Sequence, residues 1–268
     1  MIYSIEDLIK KIPNGAKIAV PSDYAGVAME ATREIIRQGI SDLHLVGIPT
    51  SGLQSELLIG AGLVKTFESS ALTLGEYNPP PRFNQAVKDG TIKLVDATCP
   101  AIHAALQASQ KGLPFMPLRG IIGSDILTHH PDWKVIDNPF ADNDPIVAIP
   151  AIRPDVALFH APLADRNGNV WAGRRRELVN MTQASKTALI TVEKITDTPL
   201  LEDETMAAGV IPDLYVGGVA HCPKGTWPLA FWQGDGEDSE NLSQYRSMAR
   251  SQEGFDQYLN EFVFKGGK

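Results

Sequence analysis

Two short polar loops hold the side chains best suited to chemistry. Pro21-Ser22-Asp23-Tyr24 sets a hydroxyl, a carboxylate and a phenol in a row, and Gly75-Glu76-Tyr77-Asn78 adds a second carboxylate, a second phenol and a carboxamide. A carboxylate in such a loop can act as acid, base or orienter of another group, while hydroxyls and amides can hold a carbonyl or carboxylate oxygen. Each loop also has a plainer reading. Ser22 and Asp23 are good helix caps, and Glu76 can simply point at water.

The remaining reactive residue types form weaker patterns. The segment with glycines at Gly60 and Gly62, ending at Lys65, fits neither the dinucleotide fingerprint nor the Walker spacing and reads as a helix-ending turn. His129 and His130 are adjacent and precede Pro131, so they lack metal-ligand spacing and read as a surface loop. His44, His160 and His221 lie in or beside apolar runs, where hydrogen-bonded core histidines are expected. Arg174, Arg175 and Arg176 can grip phosphates through their guanidinium forks, or form a solvated or subunit-facing charge run. Cys99 and Cys222 are too few and too separated for a disulfide framework, and no Cys/His cluster suggests zinc, so no metal is expected.

The two loops are singled out by the elements before them. Apolar, β-branched runs at 17–20, 43–48, 71–74, 92–95, 146–149, 156–160, 187–193 and 214–220 read as buried strands. Helices are predicted at 5–12, capped by Ser4, at 27–38, closed by Gly39, between Pro80-Pro81 and Gly90, and at 101–111 between Pro100 and Gly112. Strand and helix alternate through residue 112, which predicts an α/β fold with an open, mainly parallel sheet and helices on both faces. Each polar loop then follows a parallel strand, where such sheets place their ligands.

In the second half the runs at 146–149 and 156–160 are joined by a Pro-containing turn, and Asn167-Gly168 is a tight-turn signal, so a locally antiparallel section is expected. Leu242, Tyr245, Met248 and Ala249 fall on one helical face that can dock on the core or a partner. With no internal repeat and no low-complexity linker, residues 1–268 read as a single α/β domain.

Composition excludes several classes of partner. The 24 Lys and Arg against 32 Asp and Glu give a net charge of -8, which repels nucleic acid and anionic lipid. No apolar run reaches the roughly 20 residues that cross a bilayer, and the start lacks a basic region followed by an apolar stretch. A cytoplasmic protein with no membrane partner is expected.

An ordered set of segments carries a family resemblance from about residue 17 to 232: 28–38, 58–65, the Pro-Phe-x-Pro-x-Arg run ending at Arg119, 123–125, 137–140, 150–155, 164–170 and 191–195. By these the protein resembles the A-type (alpha) subunits of family I coenzyme A transferases, most of all the glutaconate type, and related ring-degradation CoA-thioester hydrolases. The resemblance implies a CoA-transferase-like open α/β fold and a B-type partner subunit in a hetero-oligomer, with the active site between them. It implies CoA as a substrate rather than a permanently bound cofactor, and a small carboxylic acid as acceptor. In this chemistry a glutamate of the B-type partner attacks the acyl-CoA thioester and then carries CoA itself, a ping-pong covalent route. The A-type polypeptide shapes the acyl pocket and supplies oxyanion donors.

Several residues take their roles from that resemblance. A Gly-Gly-Phe loop follows the first strand in many members, whereas here the positions read Val20-Pro21-Ser22, and Pro21 has no N–H to donate. Either Ser22, Asp23 and Tyr24 replace the donor, or substrate and reaction differ. Gly75-Glu76 matches a Gly-Glu-Asn motif with Tyr77 inserted before Asn78, which makes Glu76 a site-lining carboxylate and a catalytic candidate of open role. Arg119 can pair with a substrate carboxylate or form a structural ion pair, and Ser124 joins the substrate-binding set. Ala97 stands where ring-degrading relatives carry an acidic residue. Two alternatives remain: one component of a cyclic acyl-CoA ring-opening hydrolase, and a non-catalytic acyl-CoA-binding or assembly protein.

Overall fold

The computed structural model describes residues 1–234 and 236–265. Strand and helix alternate first as β1 (Ile2–Tyr3), α1 (Ile5–Ile9), β2 (Lys17–Pro21), α2 (Met29–Gln38), β3 (Leu43–Ile48) and α3 (Leu53–Gly60). They continue as β4 (Val64–Ser69), α4 (Pro81–Asp89), β5 (Lys93–Asp96) and α5 (Cys99–Gln110). Local chemistry sets the ends: the Asp7 N–H donates to Ser4 Oγ at the start of α1, and the Ala101 N–H donates to Thr98 Oγ1 in α5.

After α5 come β6 (Phe115–Leu118), α6 (Ile126–His129), β7 (Lys134–Asp137), β8 (Pro145–Pro150), β9 (Val156–Asp165) and β10 (Val170–Trp171). The chain ends with α7 (Arg176–Ala184), β11 (Thr187–Thr196), β12 (Val210–Ile211), β13 (Val216–His221), α8 (Ser239–Met248) and α9 (Gln252–Leu259).

The large sheet runs β1-β13-β11-β9-β2-β3-β4-β5, with every neighbour on that path parallel. β10 turns back antiparallel on β9 through Asn167-Gly168 and carries β12. β6, β8 and β7 form a separate antiparallel sheet. The antiparallel section therefore lies in the second half, but β8 and β9 belong to different sheets. The link between them is tied at both ends, since the Ile152 N–H donates to Ala105 O and the Asp155 N–H donates to Lys17 O.

Both faces of the large sheet are covered, which explains its near-continuous apolar strands. Side chains alternate between two core layers. Ile18, Val20, Leu45, Leu158 and Leu189 pack toward α1, α2, α3, α4, α8 and α9, whereas Ala19, Val46, Phe159 and Ile190 pack toward α5, α7 and β8.

Two local expectations differ from the structure. The strand before the Glu76 loop is β4, not 71–74, of which Leu72 makes only an isolated bridge to Ser51. The hydroxyls of Ser69 and Ser70 both donate to Pro49 O and draw the chain out of β4's line, and β4 itself carries Lys65 and Glu68 where an apolar run is the usual signal. His130 is not a surface residue: it is buried, stacks on Trp133 and bonds the Asp96 carbonyl. The tail helix does dock on the core, with Leu242, Tyr245 and Ala249 buried against the first layer.

One buried charge joins that layer to the tail. Glu56 in α3 is 0% exposed, and its carboxylate accepts the N–H groups of Arg82 at 2.7 Å and Phe83 at 2.8 Å in the first turn of α4. The Tyr245 hydroxyl of α8 donates to the same group at 3.1 Å. Pro80 and Pro81 supply neither an N–H nor a side-chain cap, so Glu56 caps α4 from across the fold. Burial pushes the Glu56 carboxyl up, and its hydrogen bonds pull the other way. Glu56→Gln should turn an amide nitrogen toward these donors and destabilise the protein by about 2–4 kcal/mol. Chemical denaturation reads the loss, and a variant as stable as the wild type would refute the role.

Candidate active site

From β2 the chain adds strands outward to β5, and from β9 outward the other way to β13, with β1 beyond it at the edge, so the strand order reverses between β2 and β9. Beside that reversal, the loops leaving β2, β3 and β4 surround a cleft of about 420 Å³. Ser22, Asp23 and Tyr24 line it from the first loop, Thr50 and Ser51 from the second, and Glu76 and Tyr77 from the third. Leu229, Glu237, Leu242 and Tyr245 close it from the C-terminal part of the chain.

The β2 loop is held by close backbone approach. The His160 N–H in β9 donates to Gly26 O at 2.7 Å. A Cβ at Gly26 would stand 2.3 Å from His160 O, and its φ of +87° suits glycine alone. The His160 ring bonds Thr191 Oγ1 at 2.8 Å and Glu193 Oε1 at 2.9 Å, as a satisfied core histidine does. Burial lowers its pKa, against the raising effect of Glu193.

Asp23 does cap a helix, though not the one that follows it. Its Oδ2 accepts the Leu53 N–H at the start of α3 at 3.1 Å. A Cβ at Gly52 would lie 2.0 Å from Oδ2, so only glycine lets the carboxylate reach the helix end. The other oxygen, Oδ1, is shielded from solvent and has no hydrogen-bond partner. Burial pushes the carboxyl up to about 7, opposed by the Leu53 bond.

Ser22 is buried, with Oγ 2.8 Å from Thr50 Oγ1, 3.2 Å from Thr50 O and 3.3 Å from Ile48 O. Its single proton is committed inside the loop. Tyr24 is exposed at the rim, and the Arg175 guanidinium lies 5.6 Å from its ring and 5.6 Å from that of Trp232.

Glu76 is exposed on the opposite wall. The Tyr77 hydroxyl donates to Glu237 Oε1 at 2.8 Å, which raises the phenol's pKa. Asn78 shapes this loop rather than the cleft wall: its Oδ1 accepts the Leu74 N–H at 2.8 Å and its Nδ2 donates to Thr73 Oγ1 at 2.7 Å. Arg119 and Ser124 do not line the cleft. Arg119 pairs with Asp144 beside the small sheet, and Ser124 is exposed with its N–H on Ile121 O.

Thr50, Ser51, Glu237 and Tyr245 join the site without having been singled out from sequence. Thr50 and Ser51 had a usable signal, since they are the first polar pair beyond the apolar run of β3. Glu237 had none, whereas Tyr245 lay on the helical face expected to dock, and only that docking shows that it reaches the cleft. Among the described residues no group of three or more His, Cys, Asp or Glu could hold a metal ion, and no helix is long and apolar enough to cross a membrane.

Residues 2–221 match the family model described as Coenzyme A transferase. The chain belongs to the coenzyme A transferase family. A relative in Pseudomonas knackmussii, the A-type component of 3-oxoadipate CoA-transferase, is 31% identical over 98% of this chain and 93% of its own length. The A-type component of glutaconate CoA-transferase in Acidaminococcus fermentans is 32% identical over 87% of this chain and 78% of its own. The crystal structure of glutaconate coenzyme A-transferase from that organism superposes with a TM-score of 0.89 at 29% identity, covering 98% of this chain and 89% of that one. The decarboxylase AibA/AibB matches with a TM-score of 0.83 at 26% identity, covering 97% and 98%.

In this coenzyme A transferase chain Asp23 should leave a pH signature. Its folded pKa of about 7 lies above the ordinary aspartate value of about 3.9. Between those values the folded state keeps a proton that the unfolded chain has lost, so this contribution to stability is present below the window and falls as pH rises through it. Asp23→Asn keeps an oxygen for the Leu53 N–H and removes the titration. In thermal melts the variant should gain on wild type from about pH 5 to pH 8. A constant difference across that range would exclude a proton-holding Asp23.

Proposed function

We propose that this protein is the A-type half of an enzyme that moves CoA between an acyl-CoA and a free carboxylic acid, in a site completed by a B-type partner. The observation that carries this reading is a cleft beyond the ends of β2, β3 and β4 whose described residues hold carboxyls and hydroxyls but no serine or cysteine paired with a histidine. Ser22 and Ser51 bond Thr50 and Ser55 rather than a histidine, and burial pushes the Cys222 thiol up to about 12, where it is inert.

The partner's glutamate would then attack the thioester carbonyl, expelling CoA thiolate and leaving an acyl-glutamyl anhydride. The thiolate returns to the glutamyl carbonyl, releases the first acid and leaves glutamyl-CoA, which the second acid reverses in the same two steps. This chain supplies the wall of Ser22, Asp23 and Tyr24 on one side and of Glu76 and Tyr77 on the other. CoA is a substrate, with no resident cofactor. Residues 1–268 act as one domain, in the cytoplasm. The relatives' names carry 3-oxoadipate and glutaconate, acids with a second carboxylate, and the same substrate class here would call for a cation facing the cleft.

A second reading, carbon–carbon bond cleavage in an acyl-CoA, is favoured by Pro21, which removes a backbone donor after β2, and by the similarity to a decarboxylase. Borohydride trapping on the co-expressed complex separates the two. Transfer predicts a glutamyl-CoA adduct on the partner during turnover and no transfer by this chain alone. Glu76→Gln should lower transfer by about tenfold or more if its carboxyl handles a proton. Full activity of the isolated chain, or failure to co-purify with any B-type chain, would sink the proposal.

A further inference from the structure

The charges facing the cleft are all of one sign. Among the described residues that line it, Glu76 and Glu237 are exposed carboxylates, Asp23 is a carboxyl that burial pushes up to about 7, and no Lys, Arg or His occurs. The nearby cation, Arg175, does not line the cleft: it is held between the Tyr24 and Trp232 rings, with one guanidinium nitrogen 3.6 Å from the Glu177 carboxylate and its Nε buried without a hydrogen-bond partner.

Several of the polar hydrogens are also engaged. Tyr77 gives its hydroxyl proton to Glu237, Ser22 and Thr50 share a bond, and the Ser51 and Ser55 hydroxyls lie 2.6 Å apart. Between these groups the wall is apolar, formed by Leu53, Leu74, Leu229 and Leu242. An anionic group entering here meets the like charge of Glu76 and Glu237, in a space whose dielectric constant drops once a partner covers it. An aliphatic chain meets leucines.

We infer that this chain's half of the site selects acyl groups with an uncharged, aliphatic distal end and rejects those ending in a second carboxylate. The inference rests on the CoA-transfer reading and names the substrate class of that same site. Glu237 acts as a specificity-determining residue, standing at the mouth with its carboxylate fixed by Tyr77.

The test compares valeryl-CoA with glutaryl-CoA, acyl chains of equal length that differ in a terminal methyl against a carboxylate, with acetate as common acceptor. Both are assayed on the co-purified complex for transfer and, separately, for binding by calorimetry. The expected result is a preference for valeryl-CoA of about tenfold or more in kcat/KM, narrowed at least about threefold by Glu237→Gln and further by Glu237→Lys. Equal or better use of glutaryl-CoA, or a ratio that both variants leave unchanged, overturns the inference. If valeryl-CoA binds more tightly but no transfer occurs, the selectivity stands and the transferase reading fails. If transfer proceeds without discrimination, the reading stands and the selectivity fails.

Discussion

A carboxylate with no exposure to water holds the helical side of this cleft in place. Glu56 is fixed in α3, receives two N–H groups from the first turn of α4, and takes the Tyr245 hydroxyl from α8. A buried carboxylate is tolerated only where donors replace its water, and each of these donors comes from a different part of the sequence or from an end of a helix that lacks its own cap. Three helices are therefore mutually dependent. The loop carrying Glu76 and Tyr77 runs directly into α4, and Leu242 and Tyr245 of α8 line the cleft beside it, so the shape of the cleft follows from where this one charge sits.

The first loop uses the same physics at smaller scale. Asp23 answers the uncapped start of α3, and it fits because Gly52 has no Cβ. Its second oxygen is left shielded without a partner. Such a group is costly unless it is protonated or meets a ligand, and this cleft is where a ligand would sit. Pro21, two residues before Asp23, has no backbone N–H to donate here.

The histidines near this sheet take no part in the cleft. The cleft has shaped walls and three carboxyls, while the histidines at 44, 130, 160 and 221 are spent on Glu68, on the Asp96 carbonyl, on Thr191 and Glu193, and on the Glu193 carbonyl. Tyr24 stands exposed at the mouth, and the apolar lining continues to the rim.

Taken alone, the sequence determined the α/β class, the parallel first half, the ends of α2, α4 and α5 to within two residues and the two polar loops, because periodicity, caps and prolines act over a few residues. It also determined the family, through ordered segments such as the Pro-Phe-x-Pro-x-Arg run ending at Arg119. Only the tertiary structure decided that Arg119 is paired with Asp144 outside the cleft, that Asn78 is turned into its own loop, and that His130 is buried. It likewise decided that β4 precedes the Glu76 loop, and that Glu237 and Tyr245 belong beside Ser22. Burial and partnership depend on groups distant in the chain, and no local pattern records which ones will meet.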